Sequence, residues 1–200
     1  MSDELPFRTA IAVIVALTMS VVLPFRLRAR TKEVITHRDE GLLSAVVLRV
    51  AGAGLWLCLL AYLIIPEAVQ FAAWKLPFWL RWCGVTVGGA CVGLMYWTLS
   101  SLGGNLTDTV VTRKEATLVT HGPYRWVRHP FYVTGALLTA AITLASANGL
   151  IGMYGVTVFL LLAMRTPLEE RMLLRKFGEE YRRYMERTGR FLPRLGRPEA

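Results

Sequence analysis

The sequence predicts an all-α, polytopic membrane protein, on three observations. Apolar residues make up 54% of its 200 residues and charged residues only 18%, against about 25% charged in soluble domains. The charges lie in a few blocks between long apolar runs. Five of those runs approach the roughly 20 helical residues that a bilayer core about 30 Å thick requires. The net charge of +9 then belongs to wet loops and tails at a membrane surface, so nucleic acid is a poor explanation for it.

In chain order, the runs predict membrane spans over about 7–25, 42–65, 78–102, 131–147 and 150–164. The first is preceded by Asp3 and Glu4, the wrong charge for the n-region of a cleaved signal peptide, and is expected to stay attached. In the second and third spans, Gly52, Gly54, Gly84, Gly88, Gly89 and Gly93 are expected to let neighbouring helices approach closely. Cys58, Cys83 and Cys91 fall within the same apolar runs and read as small core hydrophobes rather than disulfide or metal ligands. Asn148 and Gly149 alone separate the last two spans, which predicts a tight helical hairpin acting as one unit. Beyond it, Leu168, Met172, Leu173, Tyr181, Tyr184 and Met185 recur at helical spacing among Arg and Glu. That pattern predicts an amphipathic cytoplasmic helix, which Gly178 is placed to divide. The whole chain reads as one membrane-embedded domain, 1–200.

Basic residues orient the spans. Five lie between the first and second spans (Arg26, Arg28, Arg30, Lys32, Arg38), four between the third and fourth (Arg113, Lys114, Arg125, Arg128), and ten from Arg165 onward. Arg8, Lys75 and Arg81 lie on the opposite side. The positive-inside rule then places the N-terminus outside and the C-terminus in the cytoplasm. Arg49, two turns into the second span, is either a snorkelling side chain or a polar anchor facing the bundle interior. The Asn105-Leu106-Thr107 sequon falls on the predicted cytoplasmic side, where it would not be glycosylated.

Several chemistries are excluded by missing motifs. There is no GxGxxG after a strand and no GxxxxGK[ST], HExxH, GxSxG or Cys/His cluster, which argues against a Rossmann fold, a metal centre and an acyl-enzyme serine. Two polar knots remain. The first runs from Leu118 to Tyr132, LVTHGPYRWVRHPFY. Gly122-Pro123 forces a turn, and Pro130 starts the fourth helix, so His129 is held at a helix N-terminus. Arg128, Tyr124 and Tyr132 add donors and aromatic faces suited to an anionic or purine-bearing ligand. An interfacial belt of aromatic and basic residues is the structural alternative.

The second knot is Arg165-Thr166-Pro167-Leu168-Glu169-Glu170. Because the last two spans form a hairpin, it must return to the same face as His129, and the two knots are expected to meet. Arg165 and Glu169 are one turn apart and point the same way if the helix is continuous. Alternatively, Thr166 as N-cap, Pro167 at N1 and Glu169 at N3 make a capping box that opens a separate helix.

Together, LVTHGPYRWVRHPFY, RTPLEE and FGEEYRRY resemble the isoprenylcysteine carboxyl methyltransferase family and its phospholipid methyltransferase-like bacterial relatives, over about 100–193. The resemblance implies an integral membrane enzyme, in a bacterial inner membrane, that uses S-adenosyl-L-methionine in a cytoplasmic pocket. Its cofactor contacts would fall on Ala116, Thr117, Leu118, Val119, Tyr124, His129, Pro130, Phe131, Tyr132 and Glu169, and its substrate-side arginine on Arg165. Two departures stand out: Thr109 occupies the loop position where the carboxyl methyltransferases place a cofactor-binding glutamine, and Ala116 a position that is polar in the animal enzymes. No metal is implied, and the acceptor would be a lipid or lipophilic small molecule. An NADPH-dependent sterol-reductase-like enzyme and a non-catalytic scaffold or transporter are the competing classes. The last of these predicts polar residues in the middle of several spans, and here Arg49 stands almost alone.

Overall fold

The computed structural model describes residues 4–29, 42–103 and 117–194. It is helical throughout, with no β-strand among the described residues beyond two isolated bridges. The helices are α1 (Leu5–Ala29), α2 (Leu42–Ile64), α3 (Phe78–Leu102), α4 (Pro130–Ser146), α5 (Gly149–Phe177) and α6 (Glu179–Arg187), with short 3-10 turns at Pro66–Ala72 and Gly122–Arg125. Among the described residues, four helices are long and apolar enough to cross a bilayer: α1, α2, α3 and α5. The shorter α4 has 17 residues. Ala116, Thr109, the sequon, and Arg30, Lys32, Arg38, Arg113 and Lys114 lie outside the described residues.

α3 packs mainly on α4, α1 leans on α3, and α2 packs on α5. A core of Ile11, Ile14, Leu59, Cys91, Ile142 and Ile151 joins α1 through α5. The glycine expectation holds at three of its six positions. A Cβ on Gly84 would sit 2.7 Å from the Ala141 carbonyl oxygen and 2.7 Å from the Ala145 nitrogen, so α3 and α4 meet backbone to backbone there. Gly54 lies under the Tyr154 ring and Gly88 against Ile14, whereas Gly52, Gly89 and Gly93 face open space. Cys58 and Cys91 are buried as expected, but Cys83 is exposed and belongs to no core. Arg49 is exposed too, which favours snorkelling over an anchor inside the bundle.

At the end of the bundle where α1 begins, the connections are tied by polar groups. Ala147 turns the chain in the left-handed region and Asn148 caps α5, accepting from the amides of Leu150 (3.1 Å) and Ile151 (3.4 Å). Its own amide donates to the Val69 carbonyl at 2.9 Å. The predicted hairpin is therefore present, and its turn is pinned to the 3-10 segment. Arg81, inside the predicted third span, sits buried in the first turn of α3. It grips Glu4 through two contacts of 2.7 Å, donates to Ala145 O at 2.9 Å and lies 3.8 Å over the Phe7 ring. Glu4→Gln would leave this guanidinium buried without its counter-charge. Because the Glu4 side chain is 45% exposed, the expected loss is about 1–3 kcal/mol rather than that of a fully buried pair. That corresponds to a fall in melting temperature of roughly 3–10 °C for a chain of this size. Thermal unfolding in detergent measures it, and an unchanged melt would show that the pair organises nothing.

The largest correction concerns α5. It does not stop near Met164 but runs without a break to Phe177, with Pro167 inside it. Thr166 is not an N-cap: it is buried within the helix and its hydroxyl donates to Leu162 O at 2.9 Å. The capping box is therefore absent, and the expected separate tail helix is divided between the end of α5 and α6. Gly178, at φ +56°, makes that break, in a conformation that non-glycine residues rarely adopt.

Candidate functional site

His129 leaves the helical region at φ −122° and ψ 58°, and Pro130 occupies the first position of α4 without sacrificing any amide bond. The buried imidazole is thereby fixed at the helix entrance, where its ring stacks on that of Tyr132 at 5.4 Å with an interplanar angle of 11°. Upstream, Gly122 holds φ +59° where a Cβ would clash with the Ser101 hydroxyl, so the loop folds tightly onto the end of α3. Tyr124 is buried beside it, and burial pushes its phenol up, as it does that of Tyr184. The Tyr184 hydroxyl donates to Tyr124 O at 2.6 Å, tying α6 to this loop.

Because α5 is continuous, Arg165 and Glu169 lie on one face, with Arg165 Nε 3.6 Å from Glu169 Oε1. The Tyr132 hydroxyl donates to the same oxygen at 2.6 Å, and His129 Nδ1 lies 3.7 Å from Glu169 Oε2. The two knots meet as the hairpin requires, bringing together Tyr132, His129, Arg165 and Glu169. Phe131 is half-buried beside Tyr132, and Pro130 is buried. Of the segment preceding the loop, Thr117 is exposed, Leu118 half-buried and Val119 buried. Among the described residues no group of His, Cys, Asp or Glu is arranged to hold a metal.

Sequence reasoning missed a second layer behind this cluster. Glu170 is 4% exposed, and both of its oxygens are taken. Arg128 Nε donates to Oε1 at 2.8 Å, and Arg190 donates to Oε2 from Nη2 at 2.5 Å and from Nε at 3.1 Å. The carboxylate in turn raises the Arg190 guanidinium. His129 Nε2 lies 3.5 Å from Oε1 but has no hydrogen-bond partner among the described residues. Arg128 Nη1 also donates to the carbonyls of Thr188 and, at 3.3 Å, Met185. The doubled glutamate of RTPLEE was the available signal, yet nothing in the sequence paired Glu170 with an arginine 20 residues away.

Fold and site together define a multi-pass helical membrane protein in which His129 and Tyr132 at the start of α4 meet Arg165 and Glu169 of α5. A profile of the Isoprenylcysteine carboxyl methyltransferase (ICMT) family matches residues 84–175, so the resemblance read from the two knots is borne out. Protein-S-isoprenylcysteine O-methyltransferase of Homo sapiens is 34% identical over 122 residues, which cover 57% of this chain and 42% of that protein. Methanethiol S-methyltransferase of Mycobacterium tuberculosis (strain ATCC 25618 / H37Rv) is 31% identical over 132 residues, 63% of this chain and 50% of that protein. The chain thus spans half or less of the length of these two relatives. In fold it resembles the eukaryotic intramembrane Ras methyltransferase ICMT (isoprenylcysteine carboxyl methyltransferase), with a TM-score of 0.64 at 23% identity, covering 96% of this chain and 67% of that one.

Proposed function

We propose that the protein is an S-adenosyl-L-methionine-dependent methyltransferase acting on a lipophilic acceptor that reaches the site from the bilayer. The observation that carries this reading is the convergence of His129 and Tyr132, at the start of α4, with Arg165 and Glu169 of α5, within the segment that the family profile matches. The residues suit the donor. Glu169 offers a half-buried carboxylate for the cofactor's amino or hydroxyl groups, and the stacked His129 and Tyr132 rings beside it offer an aromatic face. Tyr124 and the segment from Ala116 to Val119 complete the set that the resemblance implies.

When bound, S-adenosylmethionine supplies a methyl group on a sulfonium that loses its charge on transfer. The protein's task is therefore alignment and exclusion of water. Arg165 is the group that orients the acceptor. A guanidinium binds a carboxylate through two parallel hydrogen bonds, and an ionised carboxylate needs no base. This favours carboxyl methylation over the thiol acceptor named for the mycobacterial relative, which would have to be deprotonated first. The distribution of basic residues supports a site at the cytoplasmic face and an N-terminus outside. In this arrangement α4 crosses as a fifth, short span, its 17 residues reaching about 25 Å.

The test is incubation of the reconstituted protein with labelled S-adenosylmethionine and either an S-prenylated cysteine or methanethiol, alongside calorimetry with S-adenosylmethionine and with NADPH. Binding of the first cofactor alone, with base-labile label in the prenylated product, is expected. No cofactor binding and no labelled product would overturn the reading.

A further inference from the structure

The adjacent glutamates of α5 have different surroundings. Glu169 is within reach of His129, Tyr132 and Arg165, whereas Glu170 is saturated by Arg128 and Arg190 and has no oxygen left for a ligand. Glu170 instead anchors the segment after α6. There the Arg128 amide donates to Gly189 O at 2.8 Å and the His129 amide to Arg190 O at 3.2 Å, a parallel bridge that lays residues 188–191 along 127–129. This strap brings Phe191 onto the site: its ring lies 5.9 Å from the His129 ring and 5.5 Å from that of Phe159 on α5. A Cβ on Gly189 would strike Leu192 O, so the strap takes this course only with glycine there. Two backbone hydrogen bonds, the Arg128 Nη1 bond to Thr188 O and two ring contacts hold this segment. The charged tether from Arg190 to a carboxylate that is itself fixed by Arg128 adds the further hold.

We infer that Arg190 is a positioning residue, which through Glu170 keeps the strap closed so that Phe191 covers the His129–Tyr132 stack and slows release of whatever the site holds. The inference rests on the methyltransferase reading only in taking that ligand to be S-adenosylmethionine or its demethylated product. Arg190 is 41% exposed in its side chain, so its replacement tests the tether without hollowing the core.

The experiment uses the full chain in lipid nanodiscs. Hydrogen exchange is followed at the Arg128 and His129 amides, the two donors to the strap, and dissociation of S-adenosylhomocysteine by rapid dilution. In Arg190→Ala both amides are expected to exchange at least tenfold faster and the ligand to leave about tenfold faster, at a melting temperature close to that of the unsubstituted protein. Arg190→Lys should restore part of both effects. Phe191→Ala should speed dissociation while the amides stay protected, because it removes the cover and leaves the tether. Unchanged amide exchange in Arg190→Ala, or faster exchange with an unchanged dissociation rate, would overturn the inference. Failure of the unsubstituted protein to bind either nucleoside overturns the functional reading instead, and the exchange arm then decides alone whether Arg190 holds the strap.

Discussion

Glu169→Gln is expected to weaken S-adenosylmethionine binding by roughly 10- to 150-fold, the equivalent of one charge-assisted hydrogen bond of about 1.5–3 kcal/mol. His129→Ala should act in the same range. The structure removes the ambiguity that a capping box would have introduced. At the start of a helix, Gln would have served almost as well as Glu, and a silent substitution would have said nothing about the cofactor. Glu169 instead lies in the interior of α5, where it accepts from the Tyr132 hydroxyl at 2.6 Å and faces His129 Nδ1 at 3.7 Å. Glutamine keeps the size and the acceptor for Tyr132 but loses the charge, so stability should change little while affinity falls. Calorimetry on both variants, with thermal melts as the control for folding, measures the effect. Unchanged affinity in both would remove the proposed cofactor site.

The entrance to the site was readable because its determinants are local. Pro130 at N1 dictates where α4 begins, and Gly122-Pro123 dictates the turn before it, so the placement of His129 followed from a few neighbouring residues. The hairpin was readable for the same reason, since Asn148 caps the next helix from a two-residue connection. The course of α5 was not. A proline normally ends a helix, and Pro167 removes the amide that would have bonded to Ala163 O, at a cost of about 3 kcal/mol in a helix interior. Here Thr166 is buried beside it, and Glu170, three residues on, is tied to Arg128 and to Arg190 of the strap. Such tertiary contacts outweigh the local preference and leave no trace in sequence spacing. The same limit hid the two arginine–glutamate assemblies. Glu170 with Arg190 and Glu4 with Arg81 are separated by 20 and 77 positions, and no periodicity joins them.

Arg165→Lys should leave S-adenosylmethionine affinity within about threefold yet reduce single-turnover methylation of a carboxylate acceptor by roughly 10- to 150-fold. Lysine keeps the positive charge one turn from Glu169, so the electrostatics of the cofactor side persist. What it loses is the planar fork that fixes a carboxylate by two bonds, and an acceptor held at one point spends less time in line with the methyl group. The size of the effect therefore reports the chemistry of the acceptor as well as the role of the residue. A thiol offers no second oxygen to grip, so with methanethiol the same substitution should change turnover little. If Arg165→Lys slowed both acceptors equally, or abolished cofactor binding, Arg165 would belong to the cofactor side of the site, and the choice of a carboxylate acceptor would lose its physical support.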